Sequence, residues 1–152
     1  MHFAAVALAA ALVQPAAAIT FPSLTTIYVG SGVYDDGDDM FDGTATVVHC
    51  SNVSGQSVQI RALVLSSPGA VEGSSTQSVA HGATVSFATH AVSVYTSVPL
   101  LTGEVKQGVV NVEATNSGVF CTAMTINADL LEEVVGVQLD LVRVNPHPGT
   151  VE

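Results

Sequence analysis

The stretch Thr44-Ala45-Thr46-Val47-Val48-His49-Cys50-Ser51 is the clearest strand in the sequence. β-Branched residues dominate it, as is typical of pleated, half-buried strands. Successive side chains of a strand point to opposite faces, so Cys50 shares one face with Val48 and His49 lies on the other. The stretch therefore predicts a strand that carries Cys50 on its apolar face.

The rest of the chain favours an all-β fold. Val, Thr, Ser, Ala and Gly are abundant, and turn-forming clusters such as Ser67-Pro68-Gly69 and Asn116-Ser117-Gly118 interrupt it about every ten residues. This spacing predicts an antiparallel sandwich of two sheets with immunoglobulin-like architecture. The predicted strands are Leu24–Val33, Thr44–Ser51, Ser57–Leu65, Thr76–Ala80, Ala83–Thr89, Val92–Thr96, Gly108–Glu113, Val119–Asn127 and Val137–Val144.

The N-terminus predicts export. An uncharged apolar run from Ala4 to Val13 precedes Gln14-Pro15 and the small residues Ala16-Ala17-Ala18. This order is typical of a secretory signal peptide at 1–18 that is cleaved near Ala18. We therefore expect a secreted or periplasmic protein.

The two cysteines, Cys50 and Cys121, are predicted to form a disulfide, because exported chains mature in an oxidising compartment. Cys121 shares a strand face with Val119 and Ala123. If both cysteines point into the space between two sheets, the bridge joins one sheet to the other, so we predict an inter-sheet disulfide. The inward residues of the third strand, from Val58 to Val64, are expected to pack nearby.

Charge limits the partners. The sequence has thirteen acidic residues but only three basic ones, Arg61, Lys106 and Arg143, so its net charge is -10. Such a chain cannot form the basic stripe that nucleic acids require. No transmembrane segment is predicted after the signal peptide. We expect one sandwich domain over 19–144, followed by an irregular tail over 145–152.

Three segments carry a resemblance: His49-Cys50-Ser51-Asn52, Ser78-Val79-Ala80-His81-Gly82-Ala83-Thr84-Val85 and Val119-Phe120-Cys121-Thr122-Ala123-Met124. Through them the region 43–128 resembles small exported bacterial β-sandwich proteins. The resemblance implies a sandwich fold and export. It transfers no catalytic residue, and the absence of tryptophan departs from the core of antibody-type domains.

One loop, Tyr34-Asp35-Asp36-Gly37-Asp38-Asp39-Met40-Phe41-Asp42-Gly43, concentrates five acidic residues. Carboxylates on a glycine-containing loop are the oxygen ligands that Ca²⁺ prefers, which predicts a weak Ca²⁺ site with Asp36, Asp38 and Asp42 as ligands. The spacing does not match an EF-hand, because Phe41 stands where glycine is required. A solvated acidic loop that protects a sheet edge is the alternative, and we favour it.

The sequence contains no motif typical of hydrolases or phosphate-binding proteins, so no catalytic residue or resident cofactor is predicted. Blue copper is disfavoured because a disulfide consumes the thiolate of Cys121. Turn or edge positions are expected for His81 and His90. Asn52-Val53-Ser54 matches an N-glycosylation sequon.

We therefore expect a non-enzymatic exported module for structure or interaction, with a surface protein or a polysaccharide as partner. The alternatives are a Ca²⁺-dependent adhesive or carbohydrate-binding domain, and a small enzyme or electron carrier.

Overall fold

The computed structural model describes residues 23–129 and 136–144, which form strands and no helix. The strands are β1 Thr25–Asp35, β2 Thr44–Asn52, β3 Val58–Ser66, β4 Val71–Val79, β5 Thr84–Ala88, β6 Val98–Pro99, β7 Val105–Ala114, β8 Val119–Asn127, β9 Gly136–Leu139 and β10 Leu141–Arg143. The predicted signal peptide at 1–18 and the predicted tail at 145–152 lie outside these residues. Within the described part of the chain, no helix has the length and apolarity needed to cross a membrane.

The strands form two five-stranded sheets, which confirms the all-β prediction. The first sheet has the order β10-β1-β7-β3-β4, and the second has the order β6-β5-β2-β8-β9. All pairings are antiparallel except the short parallel contact of β5 with β6.

The main core lies between the two sheets and uses alternate residues of the central strands. The inward side chains of β3, from Val58 to Val64, pack in one cluster with Val48, Cys50 and Phe87 of the second sheet. Among residues 23–129 and 136–144, Phe87 is the largest side chain that is completely buried. The prediction that β3 packs beside Cys50 is therefore confirmed.

The disulfide is present, but its predicted inter-sheet position is wrong. Cys50 and Cys121 are directly opposed on the adjacent strands β2 and β8, so the bridge lies within the second sheet. The backbone N–H and carbonyl of Asn52 both form hydrogen bonds on the β5 side of β2. Backbone hydrogen bonds alternate between the two sides of a strand, so those of Cys50 also point toward β5, and Cys50 occupies a non-hydrogen-bonded position toward β8. Opposed side chains are closest at such positions, and the two Cα atoms are 4.2 Å apart.

The predicted strand Val92–Thr96 is also wrong. This segment crosses the outer face of the second sheet, where Val92 packs against Val47 and Ile126 in a second apolar cluster. Ser93 donates its backbone N–H to the carbonyl of Ala128. Burial of its apolar side chains holds this segment in place without strand pairing.

The predicted last strand, Val137–Val144, divides at Asp140. β9 pairs with β8 in the second sheet, whereas β10 pairs with β1 in the first. Arg143 of β10 donates to the Tyr28 hydroxyl, and it also donates to the carbonyl of Val119 at 3.0 Å. The C-terminal strands therefore connect the two sheets.

Candidate functional site

The acidic loop joins β1 to β2, and it begins at a buried carboxylate. Asp35 is the last residue of β1, and its side chain is completely buried. One carboxylate oxygen accepts the Gly37 backbone N–H at 2.9 Å, and the other lies 2.8 Å from Nδ1 of His90. Asp35 therefore anchors the loop from inside the fold.

His90 anchors the other end of the same loop. It follows β5 and is only 5% exposed, and its Nε2 lies 3.0 Å from the backbone carbonyl of Asp42. An ionised carboxylate and a carbonyl are both acceptors, so only the doubly protonated imidazolium satisfies both contacts. We name this pair of residues, Asp35 and His90, the buried latch.

The charges of the buried latch stabilise each other. Burial alone raises the pKa of Asp35, but the hydrogen bonds from His90, Thr89 and the Gly37 N–H outweigh it, so this pKa lies below its usual value. The hydrogen bond with Asp35 raises the pKa of His90, despite the opposing effect of burial. The pair is therefore ionic at mildly acidic pH.

The three predicted Ca²⁺ ligands surround Gly43. Asp36 accepts the Thr44 backbone N–H at 2.7 Å. A Cβ atom placed on Gly43 would lie 2.6 Å from carboxylate oxygens of both Asp36 and Asp38, so these two carboxylates converge on one point of the backbone. Asp42 accepts the Gly43 N–H at 2.8 Å. The Ca²⁺ site stays a prediction, with Asp36 and Asp38 brought close together.

Asp42 also lines a cleft of about 260 Å³ with Asn127 and Asp129. A different trio has its potential ligand atoms within 4.8 Å of one another: Asp35, Asp36 and His90. A cation at that trio would have to displace the hydrogen bond between Asp35 and His90. The arrangement is better suited to holding the loop than to binding a metal ion.

His81 lies in a turn and His90 in a bend directly after β5, as expected, but the burial of His90 was not predicted. The ring of His81 accepts the Gly55 N–H at 3.1 Å in a turn. The sequence does contain a signal for the latch, because Asp35 is two residues after the core residue Val33 and so continues the inward face of β1.

His49 lies on the outer face of the second sheet, opposite to the direction of Cys50, as predicted. Its Nδ1 is 2.8 Å from the hydroxyl oxygen of Ser86, and its ring meets that of Tyr95 edge to face at 4.6 Å. Burial lowers the pKa of His49. Within residues 23–129 and 136–144, no carboxylate contacts the other nitrogen to orient the ring, so this pair lacks the third member of a catalytic triad.

The sequon asparagine has a structural role. Asn52 is completely buried, and its amide nitrogen donates to the carbonyls of Gln56 and Val79 at 2.7 and 2.8 Å. Its oxygen accepts from the backbone and the hydroxyl of Ser54. Both amide protons are used, so this side chain is not a glycosylation acceptor in the folded protein.

The loop held by the latch and the loop between β6 and β7 each expose an apolar side chain. Phe41 is 51% exposed with a φ of 71°, and Leu101 is 67% exposed with a φ of 54°. Phe41 donates its N–H to Ala91, and Thr102 donates to Thr89, so both loops attach to the same short segment. We name residues 36–43 and 101–104 together the acidic tip.

A scan against protein-family models, a search of curated proteins and a search of solved structures found no match to this chain. The resemblance to exported bacterial β-sandwich proteins stays a prediction.

Proposed function

We propose that the protein is an exported, non-enzymatic interaction module that contacts its partner through the acidic tip. Its two facing sheets support the immunoglobulin-like architecture, although the bridge within one sheet departs from the antibody-type pattern. The disulfide supports an oxidising location, because such bridges persist mainly outside the cytosol.

The observation that carries the proposal is the backbone conformation of Phe41 and Leu101. Among the described residues, these are the non-glycine positions with positive φ, and both side chains are apolar and exposed. The left-handed conformation costs about 1–2 kcal/mol for such residues. Backbone strain that exposes an apolar side chain to solvent does not stabilise the core. Such strain tends to occur at functional sites.

The buried latch supports a role in recognition rather than in catalysis. A general base must reach a substrate proton, but both nitrogens of His90 are engaged and its ring is buried. Asp35 is equally enclosed. The latch fixes the two ends of the loop, so it preorganises the exposed residues between them and lowers the entropy cost of binding.

The charge of the acidic tip defines the partner. The tip carries the exposed apolar side chains of Met40, Phe41 and Leu101 on the same two loops as five carboxylates, those of Asp36, Asp38, Asp39, Asp42 and Glu104. An apolar centre with a charged rim is the usual anatomy of a protein interface. We infer a protein partner with an apolar pocket inside a basic surface, rather than a polysaccharide, because the tip has no aromatic platform beyond Phe41.

The first prediction concerns the anchor residues. Replacing both Phe41 and Leu101 with asparagine, which tolerates positive φ, is expected to leave the free energy of unfolding unchanged or raise it by up to about 1 kcal/mol. The same change should weaken partner binding by about 2 kcal/mol or more, as for central interface anchors. Partners captured from the extracellular fraction of the source cells are compared by quantitative mass spectrometry, and affinity is then measured by calorimetry.

Val53→Asn with Val142→Asn is the matched control, because these valines are exposed apolar residues outside the tip. The control should retain the partner that the tip variant loses. Equal capture by both variants would contradict the proposal, as would specific turnover by the protein on a panel of hydrolase substrates.

A Ca²⁺-dependent adhesive role is the second candidate, and the convergence of Asp36 and Asp38 on Gly43 favours it. Two carboxylates at one point repel each other, and a bound cation would relieve that repulsion. Glycine suits position 43 because a Cβ would displace these carboxylates, and because its φ of 67° lies in the left-handed region that favours glycine.

The second prediction follows for Ca²⁺. Millimolar Ca²⁺ should raise the thermal midpoint of the protein, because a ligand that binds only the folded state stabilises it. Asp38→Asn should abolish the rise, while Asp140→Asn, a carboxylate change far along the chain, should preserve it. An unchanged midpoint in the unmodified protein would rule out this candidate.

A further inference from the structure

The first sheet ends in a long strand with an unpaired edge. β4 lies at the end of the strand order and pairs only with β3. No strand or loop in the described part of the chain pairs with its outer edge. Ser74, Thr76 and Ser78 are exposed along it.

The hydrogen bonds fix which backbone groups point outward. The backbone carbonyl of Gln59 accepts a hydrogen bond from the N–H of Thr115, on the β7 side of β3. Because the direction of backbone hydrogen bonds alternates along a strand, the backbone groups of Arg61 also point toward β7. Thr76 is opposite Arg61 and therefore makes no ladder bond with β3. The N–H and carbonyl groups of Thr76, and of Ser74 and Ser78 by the same alternation, point away from the sheet.

This edge has little of the protection that native proteins give to exposed edges. Lysine, proline, bulges or shortness usually prevent edge pairing. The other edge strands of the two sheets, β6, β9 and β10, have four residues or fewer. β4 has nine residues without lysine or proline, and its irregularity lies at one end, beside Val71.

We propose that the β4 edge pairs with the β4 edge of a second copy of this chain, which gives a symmetric dimer with a continuous sheet across the joint. An antiparallel joint between identical strands is self-complementary about a two-fold axis. Centred on Thr76, it places Thr76 opposite its own copy and Ser74 opposite Ser78 of the second copy. These residues supply outward backbone donors and acceptors in register.

Charge identifies a second copy as the occupant. Two chains of charge -10 repel each other over most of their surfaces, but β4 carries a single charge, Glu72. In the proposed register the two Glu72 carboxylates lie at opposite ends of the joint, about 27 Å apart along the strands. The hydroxyl side chains between them oppose each other without bringing like charges together.

Sedimentation velocity of the purified protein over a concentration series tests the dimer. We expect a monomer–dimer equilibrium that shifts toward dimer at high salt, because salt screens the repulsion between the two acidic chains. Thr76→Pro removes an outward N–H, which an edge strand tolerates, and should weaken association about tenfold or more. A protein that stays monomeric at every concentration and salt level would overturn the proposal, as would assemblies larger than a dimer.

Thr76→Glu and Thr25→Glu form a matched pair in case proline disturbs folding. Both add one carboxylate at an exposed threonine, but only position 76 brings like charges into opposition at the joint. Loss of dimer with Thr76→Glu alone supports the proposal, and equal behaviour of the two variants contradicts it. Phe41→Asn with Leu101→Asn should leave dimerisation unchanged, so failure of the edge and failure of the acidic tip are distinguishable.

Discussion

His90→Ala should lower the free energy of unfolding by about 3–5 kcal/mol near pH 6, the range found when one partner of a buried ion pair is removed. Asp35 is completely buried, and its carboxylate would lose its cation and keep only the hydrogen bonds from Thr89 and Gly37. Urea unfolding followed by circular dichroism measures the loss. A change below about 1 kcal/mol would show that the latch does not stabilise the fold.

The pH profile of stability distinguishes an ionic latch from simple packing. The raised pKa of His90 gives stabilisation that is complete below about 6.5 and is lost as pH rises through the folded-state value. The lowered pKa of Asp35 gives stabilisation that is present above about 3.8 and is lost as pH falls through the folded-state value. The latch should therefore stabilise the protein most between these limits.

Asp35→Asn is the near-isosteric control for the latch. A neutral His90 can accept from the amide while it donates to the carbonyl of Asp42, so this variant should cost less than His90→Ala. It should also flatten the decline in stability above about pH 6.5. The measurements are made in the presence of a chelator, which excludes a contribution from bound cations. If stability still declined above about pH 6.5 in Asp35→Asn, a group other than the latch would be responsible for the decline.

Removing the disulfide should have the other large effect. The bridge joins residues 71 positions apart, and the chain-entropy model gives about 4 kcal/mol for a loop of that length. Cys50→Ala with Cys121→Ala should therefore lower the free energy of unfolding by about 2–5 kcal/mol. Guanidinium unfolding with and without reductant measures this change.

Reductant provides the control for the disulfide variant. It should destabilise the unmodified protein by a similar amount and leave the double alanine variant unaffected. Cys50→Ser with Cys121→Ser should be less stable than the alanine pair, because Cys50 is completely buried and a serine there would bury a hydroxyl without an assured partner. The prediction would be contradicted if the free energy of unfolding of the unmodified protein stayed the same after reduction of the disulfide had been demonstrated.

Strand positions were largely predictable because each strand has its own alternating pattern of apolar and polar residues. β8 begins and ends as predicted, and the faces of β2 and β3 follow their alternation. Which strands lie side by side in a sheet was not predictable. The alternation of apolar and polar residues places Cys50 and Cys121 on apolar faces, and this holds equally for two strands in one sheet and for two strands in opposite sheets. The start of β4 was missed because Glu72-Gly73-Ser74-Ser75 has low strand propensity and is held in place by pairing with β3.

The candidate site was predictable only in part. The acidic composition of residues 36–43 was evident, whereas the buried latch depends on a contact between residues 55 positions apart. The conformations of Phe41 and Leu101 carry no local signal, because neither residue type favours positive φ. Long-range hydrogen bonds impose these conformations, such as the one from the Phe41 N–H to Ala91.

The pairing of β10 with β1 determines when the fold can be completed. β1 is the first described strand, and its outer neighbour consists of Leu141–Arg143, near the other end of the sequence. During synthesis β1 therefore emerges long before the strand that covers its edge. This contact joins Tyr28 and Arg143, which are 115 positions apart, and such non-local pairings form slowly. The first sheet can be completed only after Leu141–Arg143 have been made, so β1 and β7 must wait for β10 before the sheet has all five strands.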